Sequence, residues 1–373
     1  MLQSFSILKG SVASRPRSTE SFVFFLHYRV TFLLLMFACL LVSSKQFVGD
    51  RIRCLAGPYG DISTALLDAY CWAASTYSVS SAYFKEVGIE VPHPGIGESE
   101  NTSEYTYRNY YQYIHLVLFF QALLFYFPHM IWKNADNYMN NFYSSIEASK
   151  TTTSSQDTKA EKETESQFDL AATYIEDRWG THLLYGLQYI LCEVLSIINL
   201  IVQSYLVDVF LGGEFLGLGY FYIPYYNAKR FQDPISMFPL VTNCYFKKYG
   251  ASGFVDTIDA LCVLPINALN VKIYLFIWVW FAVLLGLSFA SLLHFCLAWF
   301  FPKYRNLPLI LKSLVFRNRV DHGYYKRVVM RGDFGDWFVL SSIKNNMDSL
   351  EFSHLMENLW YKLSNVGTET KEP

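Results

Sequence analysis

The sequence is short of charge and of catalytic motifs. Only 17% of its 373 residues are Asp, Glu, Lys or Arg, against roughly a quarter in soluble domains. A formal net charge of −2 gives no basic field for nucleic acid, so no nucleic-acid partner is expected. The histidines are too far apart for an HExxH motif, and no CxxC, GxSxG, phosphate-loop or dinucleotide-binding motif occurs. We therefore expect neither an enzyme nor a bound metal or cofactor.

Apolar residues, by contrast, make up 52% of the chain and gather in long runs. Residues 273–301 contain no Asp, Glu, Lys or Arg, and at ~1.5 Å rise per residue they exceed the ~30 Å hydrocarbon core. Three more apolar runs cover 22–47, 113–132 and 183–211, of which the first contains Arg29 and Lys45 and the third Glu193 and Asp208. A cleaved signal peptide is the alternative for the first run, but that run begins late and no small-x-small cleavage site follows it. The pattern predicts an all-α membrane protein with four transmembrane helices.

Basic residues flank the first and last runs, where acids are nearly lacking. They are Lys9, Arg15, Arg17 and Arg29 near the first run and Lys303, Arg305, Lys312, Arg317 and Arg319 after the last. The positive-inside rule therefore predicts that both termini are cytoplasmic.

This orientation fixes the expected segments of the chain. In order they are a cytoplasmic N-terminal segment (1–21), a first transmembrane helix (22–47), a first extracellular loop (48–112), a second helix (113–132), a cytoplasmic loop (133–182), a third helix (183–211), a second extracellular loop (212–272), a fourth helix (273–301) and a cytoplasmic C-terminal region (302–373). Residues 144–167 are rich in Ser, Thr, Lys and Glu, a composition typical of disorder. Asn101 opens the one Asn-x-Ser/Thr sequon and is a glycosylation candidate in the first extracellular loop.

Four of the seven cysteines fall in the extracellular loops. Cys54 and Cys71 lie in the first loop, and Cys244 and Cys262 in the second. Extracellular loops meet an oxidising compartment, so these cysteines predict two disulfides that brace the loops. Three pairings are possible, and the spacing does not choose among them.

Two residues inside the apolar runs are unusual for a membrane-spanning helix, one because it is charged and the other because it is a proline. Glu193, in the third run, is expected to make an interhelical hydrogen bond or ion pair. Pro128, in the second run, removes a backbone donor. It predicts either a purely structural kink or the hinge of a gate.

Several local motifs resemble those of the innexin family. The first is Tyr110-Tyr111-Gln112-Tyr113, just before the second run, which is similar to the YYQW signature with tyrosine in place of tryptophan. Further matches are Leu26-His27-Tyr28-Arg29, Tyr70-Cys71-Trp72, Lys248-Tyr249-Gly250, Leu264-Pro265-Ile266-Asn267 and Gly335-Asp336-Trp337-Phe338. Residues 91–97 resemble arthropod members in particular. The resemblance covers nearly the whole chain except the middle of the cytoplasmic loop.

The resemblance implies a subunit of a large-pore channel in the plasma membrane. Such subunits form rings, for which eight members are expected, as homo- or hetero-oligomers with other innexins in contact with membrane lipids. A ring docked to the ring of an apposed cell makes a gap junction, and an undocked ring is a hemichannel; both would pass ions and small solutes. Residues 1–20 would form a funnel at the pore mouth, and residues 30–49, in the first helix and the start of the first loop, would form much of the pore wall.

The resemblance also implies details of the extracellular loops and the tail. The loops would contain short strands, their cysteines would pair between loops as Cys54–Cys262 and Cys71–Cys244, and the C-terminal region would be helical. Arg51 and Arg53 lie beside Cys54, with Arg51 where the family usually has proline, and their charges could alter docking or permeation. Further docking candidates are Phe246, Tyr249 and Phe254 in the second loop, although ordinary loop packing would explain these three aromatic residues equally well.

The competing interpretation is a four-span adhesion or scaffold protein without a pore. Tetraspanins carry a Cys-Cys-Gly motif, and this chain has no adjacent cysteines. Claudins have a short second extracellular loop, whereas 212–272 is long. Both comparisons favour the channel.

Overall fold

The fold consists of long apolar helices, a small sheet and a group of C-terminal helices. The computed structural model describes residues 19–56, 63–97, 104–136, 169, 171–218, 237–250, 252–306, 322–347 and 349–369. The helices are α1 (Phe22–Val48), α2 (Thr64–Ala74), α3 (Ile114–Ala135), α4 (Leu183–Phe210), α5 (Pro265–Phe300), α6 (His322–Arg331), α7 (Phe334–Asn346) and α8 (Ser349–Glu369). The strands are β1 (Arg53–Ala56), β2 (Thr76–Val79), β3 (Tyr105–Arg108), β4 (Val241–Tyr249) and β5 (Val255–Val263).

Four of these helices, α1, α3, α4 and α5, are long and apolar enough to cross a membrane. This confirms the predicted fold class of four membrane helices, with short strands and two disulfides beside them. Helix α5 begins at Pro265, well before the charge-free run that starts after Lys272. A single lysine ends an apolar run without ending a helix, and proline suits a first helical position because its fixed φ is already helical.

The chain forms two compact units. The first, here called the loop unit, contains His27–Tyr126 and Ile197–Gly286. The second, here called the terminal unit, contains Met1–Leu26, Phe127–Ser196 and Leu287–Pro373.

The loop unit contains one antiparallel sheet with the strand order β1-β5-β4-β2-β3. Strand β5 alternates as a half-buried strand should, with Ile258, Ala260 and Cys262 buried on one face. Strands β4 and β5 form a hairpin whose turn closes with Gly253 at φ +79°. Only glycine adopts this left-handed conformation without a steric cost.

The terminal unit is built around α7. Its residues from Phe334 to Leu340 are buried on every side, as expected of a helix enclosed by others. Helix α8 is amphipathic, and its buried face carries Phe352, Leu355, Met356 and Leu359 at helical spacing. A short helix over residues 171–177 precedes α4, and Lys362 of α8 pairs with Asp169 at 2.8 Å.

Candidate docking surface and N-terminal anchor

Two disulfides join the two long loops. Cys54 on β1 is bonded to Cys262, directly opposite on β5, with their Cα atoms 4.0 Å apart. Cys71 on α2 is bonded to Cys244 on β4, with 5.9 Å between the Cα atoms. This is the pairing implied by the resemblance. The Sγ atoms of Cys54, Cys71 and Cys262 lie within 4.8 Å of one another, but each is already in a disulfide and so offers no thiolate to a metal.

Beyond the disulfides, the β4–β5 hairpin ends in an exposed apolar tip. Tyr249, at the end of β4, is 80% exposed, and Phe254, just before β5, is 79% exposed. Val255 beside them is also exposed. Large apolar side chains held out together on a rigid hairpin are typical of a surface that binds another protein.

Phe246, another docking candidate, is placed differently. Its ring packs edge-on against Tyr70 of α2 at 4.8 Å, and the side chain is half-buried. This geometry favours the loop-packing alternative for Phe246, because the ring helps to seat α2 on the sheet. Tyr249 keeps the exposure that a docking residue needs.

Arg51 and Arg53 turn towards the end of α1. The Arg51 Nε donates to the carbonyl of Gln46 at 2.6 Å, and its guanidinium lies over the Phe47 ring at 6.0 Å. Arg53 forms an exposed ion pair with Asp50 at 2.5 Å. The two charges therefore lie beside the helix end instead of at the hairpin tip.

The Tyr110–Tyr113 motif joins the first loop to the second through Tyr110 and braces the first loop internally through Tyr111 and Gln112. The Tyr110 hydroxyl donates to the Met237 carbonyl, and the Gln112 side-chain amide donates to the Trp72 carbonyl. Tyr111 is buried against the Trp72 ring at 5.0 Å. Burial raises the pKa of the Tyr110 hydroxyl, so it stays a donor at physiological pH. Tyr113 remains 49% exposed at the start of α3, as an aromatic residue at a membrane interface would be.

The start of α1 is held by hydrogen bonds in the terminal unit. Ser21 is the N-cap of α1 and accepts from the Phe24 amide at 3.0 Å. Its own amide donates to the Tyr189 hydroxyl at 2.8 Å, and its hydroxyl donates to Glu193 at 2.5 Å. Tyr189 also donates to Glu193 at 3.0 Å. The interhelical hydrogen bond expected of Glu193 is thus confirmed.

The two residues before Ser21 are held as well. The Thr19 hydroxyl donates to Asp136 at 2.9 Å, and Glu20 pairs with His129 at 3.0 Å. Burial raises the pKa of Asp136, while hydrogen bonds from Tyr185 and Thr19 oppose that shift. We call residues 19–21 the N-terminal anchor. The one sequence signal for this anchor is Ser21 itself, a residue of N-cap type just before an apolar run.

Comparison with known proteins decides the family. A family model described as Innexin matches residues 20–363. Innexin shaking-B of Drosophila melanogaster is 34% identical over 97% of this chain and 95% of its own length. Innexin inx2 of Schistocerca americana is 33% identical over 97% of this chain and 98% of its own. The chain belongs to the innexin family. It is therefore a membrane protein of a family of gap-junction channel subunits, and not of a family of enzymes.

The tail motif of this innexin docks α7 onto the base of α4. Gly335 approaches the backbone of His182, where a Cβ would collide with its carbonyl group. Asp336 pairs with the His182 ring at 2.7 Å, deeply buried, and also closes the capping box of α7. Phe338 packs on Tyr189 with ring centroids 4.7 Å apart. Gly335, Asp336 and Phe338 of the tail motif thus each make a separate contact between α7 and the start of α4.

Pro128 lies inside α3, two residues beyond the point where the chain passes from the loop unit to the terminal unit. A proline leaves the carbonyl four residues earlier without its helical donor. That carbonyl belongs to Leu124, and the Asn199 side-chain amide donates to it at 3.3 Å. The hinge interpretation of Pro128 stays a prediction.

Three other predictions fall on residues outside the described part of the chain. They concern glycosylation of Asn101, the funnel formed by the N-terminal residues before Thr19, and disorder over 144–167.

Proposed function

We propose that this innexin assembles into rings that act as gap-junction channels when docked and as hemichannels when undocked, passing ions and small solutes. A ring of eight, alone or mixed with other innexins, and docked to a ring in the apposed cell, is the expected assembly. The observation that carries the proposal is the disulfide-braced hairpin, which holds apolar residues out at its tip. A docking surface gains affinity from being rigid before it binds, because less entropy is lost on association.

Both termini are assigned to the cytoplasm. The support is the excess of Lys and Arg around the first and last membrane helices. The disulfides agree with this orientation, since they belong on the oxidising side of the membrane.

The N-terminal segment is assigned to the pore mouth. Residues 19–21 are tied to Asp136, Tyr189 and Glu193 by hydrogen bonds and to His129 by a carboxylate–imidazole contact. The N-terminal segment before this anchor is thereby attached at a fixed position. A segment that narrows a pore needs such a fixed attachment. Movement at Pro128 of α3 is the proposed route by which this end of the channel opens and closes.

Arg51 and Arg53 are assigned to permeation more than to docking. Both side chains lie at the end of α1, and in this family that helix and the first part of the loop after it line the conduit. Positive charge in a wide conduit favours anions by raising their local concentration. The Arg53 charge is offset by Asp50, so Arg51 is expected to make the larger contribution.

Cysteine substitutions test the docking role. We expect Cys71→Ser to abolish junctional conductance between paired cells, because the bond to Cys244 closes a loop of sequence separation 173 and its loss typically costs about 2–5 kcal/mol. Cys296→Ser is the matched control, since Cys296 is a free, exposed cysteine on α5. Dual voltage clamp, with surface biotinylation to verify delivery, measures both variants. Normal coupling by Cys71→Ser at normal surface level would contradict the proposal.

The same assay separates the adhesion or scaffold alternative. A scaffold would hold the two cells together without passing current. A channel passes current in proportion to its surface level.

A further inference from the structure

The terminal unit contains a cavity to which the proposed channel function assigns no ligand. Its volume is about 240 Å³, and it lies among the N-terminal anchor, α4, α5, α6, α7 and the turn after α5. Polar residues in its lining include Glu20, Ser291, His294, Arg305, Ser341 and Lys344. A water molecule takes roughly 30 Å³ of liquid volume, so the cavity has room for a small ligand group.

Arg305 is the unusual member of this lining. It is only 6% exposed, and its guanidinium donates to two backbone carbonyls, those of Ala298 at 2.8 Å and Gly332 at 2.9 Å. Within the part of the chain that the structure describes, no carboxylate lies at ion-pair distance from it. Asp333 and Asp336 attract it only from farther away. Burial lowers the pKa of Arg305, the direction expected when a cation lacks an adjacent anion.

A buried cation held only by neutral acceptors is costly, and a bound anion would offset that cost. The other charged residues in the lining also favour a bound anion. Lys344 adds a second cation, whereas the one carboxylate among the six, Glu20, is paired with His129 at 3.0 Å. The Ser291 hydroxyl is not counted with them, because it already donates to Glu193 at 3.5 Å. Cationic donors therefore dominate the cavity, and they suit a ligand made mainly of acceptors.

We propose that this cavity binds a phosphate group, with Arg305 as its buried cation and Lys344 as its second. A guanidinium presents a planar fork of donors that matches phosphate oxygens, and an ammonium adds a point charge. The phosphate can come from two sources, the headgroup of an anionic lipid or a soluble phosphorylated compound. Both present the same oxygens to the site.

The test uses the full-length protein in phosphatidylcholine nanodiscs and follows thermal unfolding. One arm titrates inorganic phosphate against sodium chloride of equal ionic strength. The other arm replaces a fixed fraction of the lipid with phosphatidic acid. Binding to the folded state alone raises the unfolding midpoint with ligand concentration. A rise with inorganic phosphate supports a soluble ligand, and a rise with phosphatidic acid alone supports a lipid headgroup.

Lys344→Gln assigns the effect to the cavity. It removes one charge, and we expect half-saturation to need roughly tenfold more ligand. Lys326→Gln is the matched control, because Lys326 is an exposed lysine of α6 outside the cavity lining, and it should respond as the wild type does. Arg305 is left unchanged because it also holds two carbonyls of the fold. The proposal is overturned if neither probe raises the wild-type midpoint, or if the two variants respond alike.

Discussion

A methyl group added at Gly335 tests how closely α7 packs on the residues before α4. The new Cβ would collide with the carbonyl carbon and oxygen of His182 and with the amide nitrogen of Leu183. All three are backbone atoms, so no side-chain rotation can relieve the contact. Overpacking of this kind costs about 1–3 kcal/mol. The better helix propensity of alanine returns up to about 1 kcal/mol of it.

Gly286→Ala supplies the matched control. Gly286 also lies inside a helix, α5, but a Cβ there would meet no atom within 4 Å. Only the better helix propensity of alanine then acts, so the free energy of unfolding should be unchanged or slightly higher. The two substitutions are chemically identical, and the new methyl group meets other atoms at Gly335 but not at Gly286.

Thermal unfolding of the purified full-length proteins in one detergent measures the difference. We expect Gly335→Ala to unfold at a lower temperature than the wild type and Gly286→Ala at the same or a higher temperature. A shift of about 2–4 °C per kcal/mol is usual for domains of 150–250 residues, and it shrinks with chain length. Equal midpoints for the two variants would refute the close packing of α7 on His182.

Two further predictions concern the pore. Ser21→Ala removes the N-cap of α1 and the hydrogen bond to Glu193, which should lower the free energy of unfolding by about 1 kcal/mol. Dye uptake by single cells should change while surface delivery persists. Unaltered uptake would count against the anchor. Arg51→Gln removes one positive charge beside the end of α1 and should shift the reversal potential under a salt gradient towards cation preference. Lys247→Gln, an exposed residue on β4, is the control for Arg51 and should leave that potential where it was.

Much of the fold follows from the sequence because long apolar runs and loop cysteines are local signals. The runs indicate all four membrane helices, although Lys272 hides the true start of α5 at Pro265. The contacts that shape the sites are not local. The partners of Ser21 are on α4, and the Arg305 guanidinium donates to the carbonyl of Gly332, which lies 27 residues further along the chain. Such encounters depend on packing between distant segments, and no spacing in the sequence predicts them.

The docking candidates divide for the same reason. Tyr249 ends at an exposed tip, whereas Phe246, on the same strand, packs against Tyr70. Residues three apart on a strand face opposite sides of the sheet, so Phe246 and Tyr249 lie on different faces. Both are aromatic, and residue type alone therefore makes both of them docking candidates. Which face meets α2 is decided by the disulfide from Cys71 to Cys244, whose pairing the loop sequences alone leave open.

Junctional conductance between two cells that lack other innexins tests the central claim most directly. Pairs in which both cells express this chain should pass current and small dyes from cell to cell, because each half of the channel needs a docked partner. Pairs in which one cell expresses it should pass none. Surface-delivered protein that leaves doubly expressing pairs uncoupled, even as they adhere, would contradict the account.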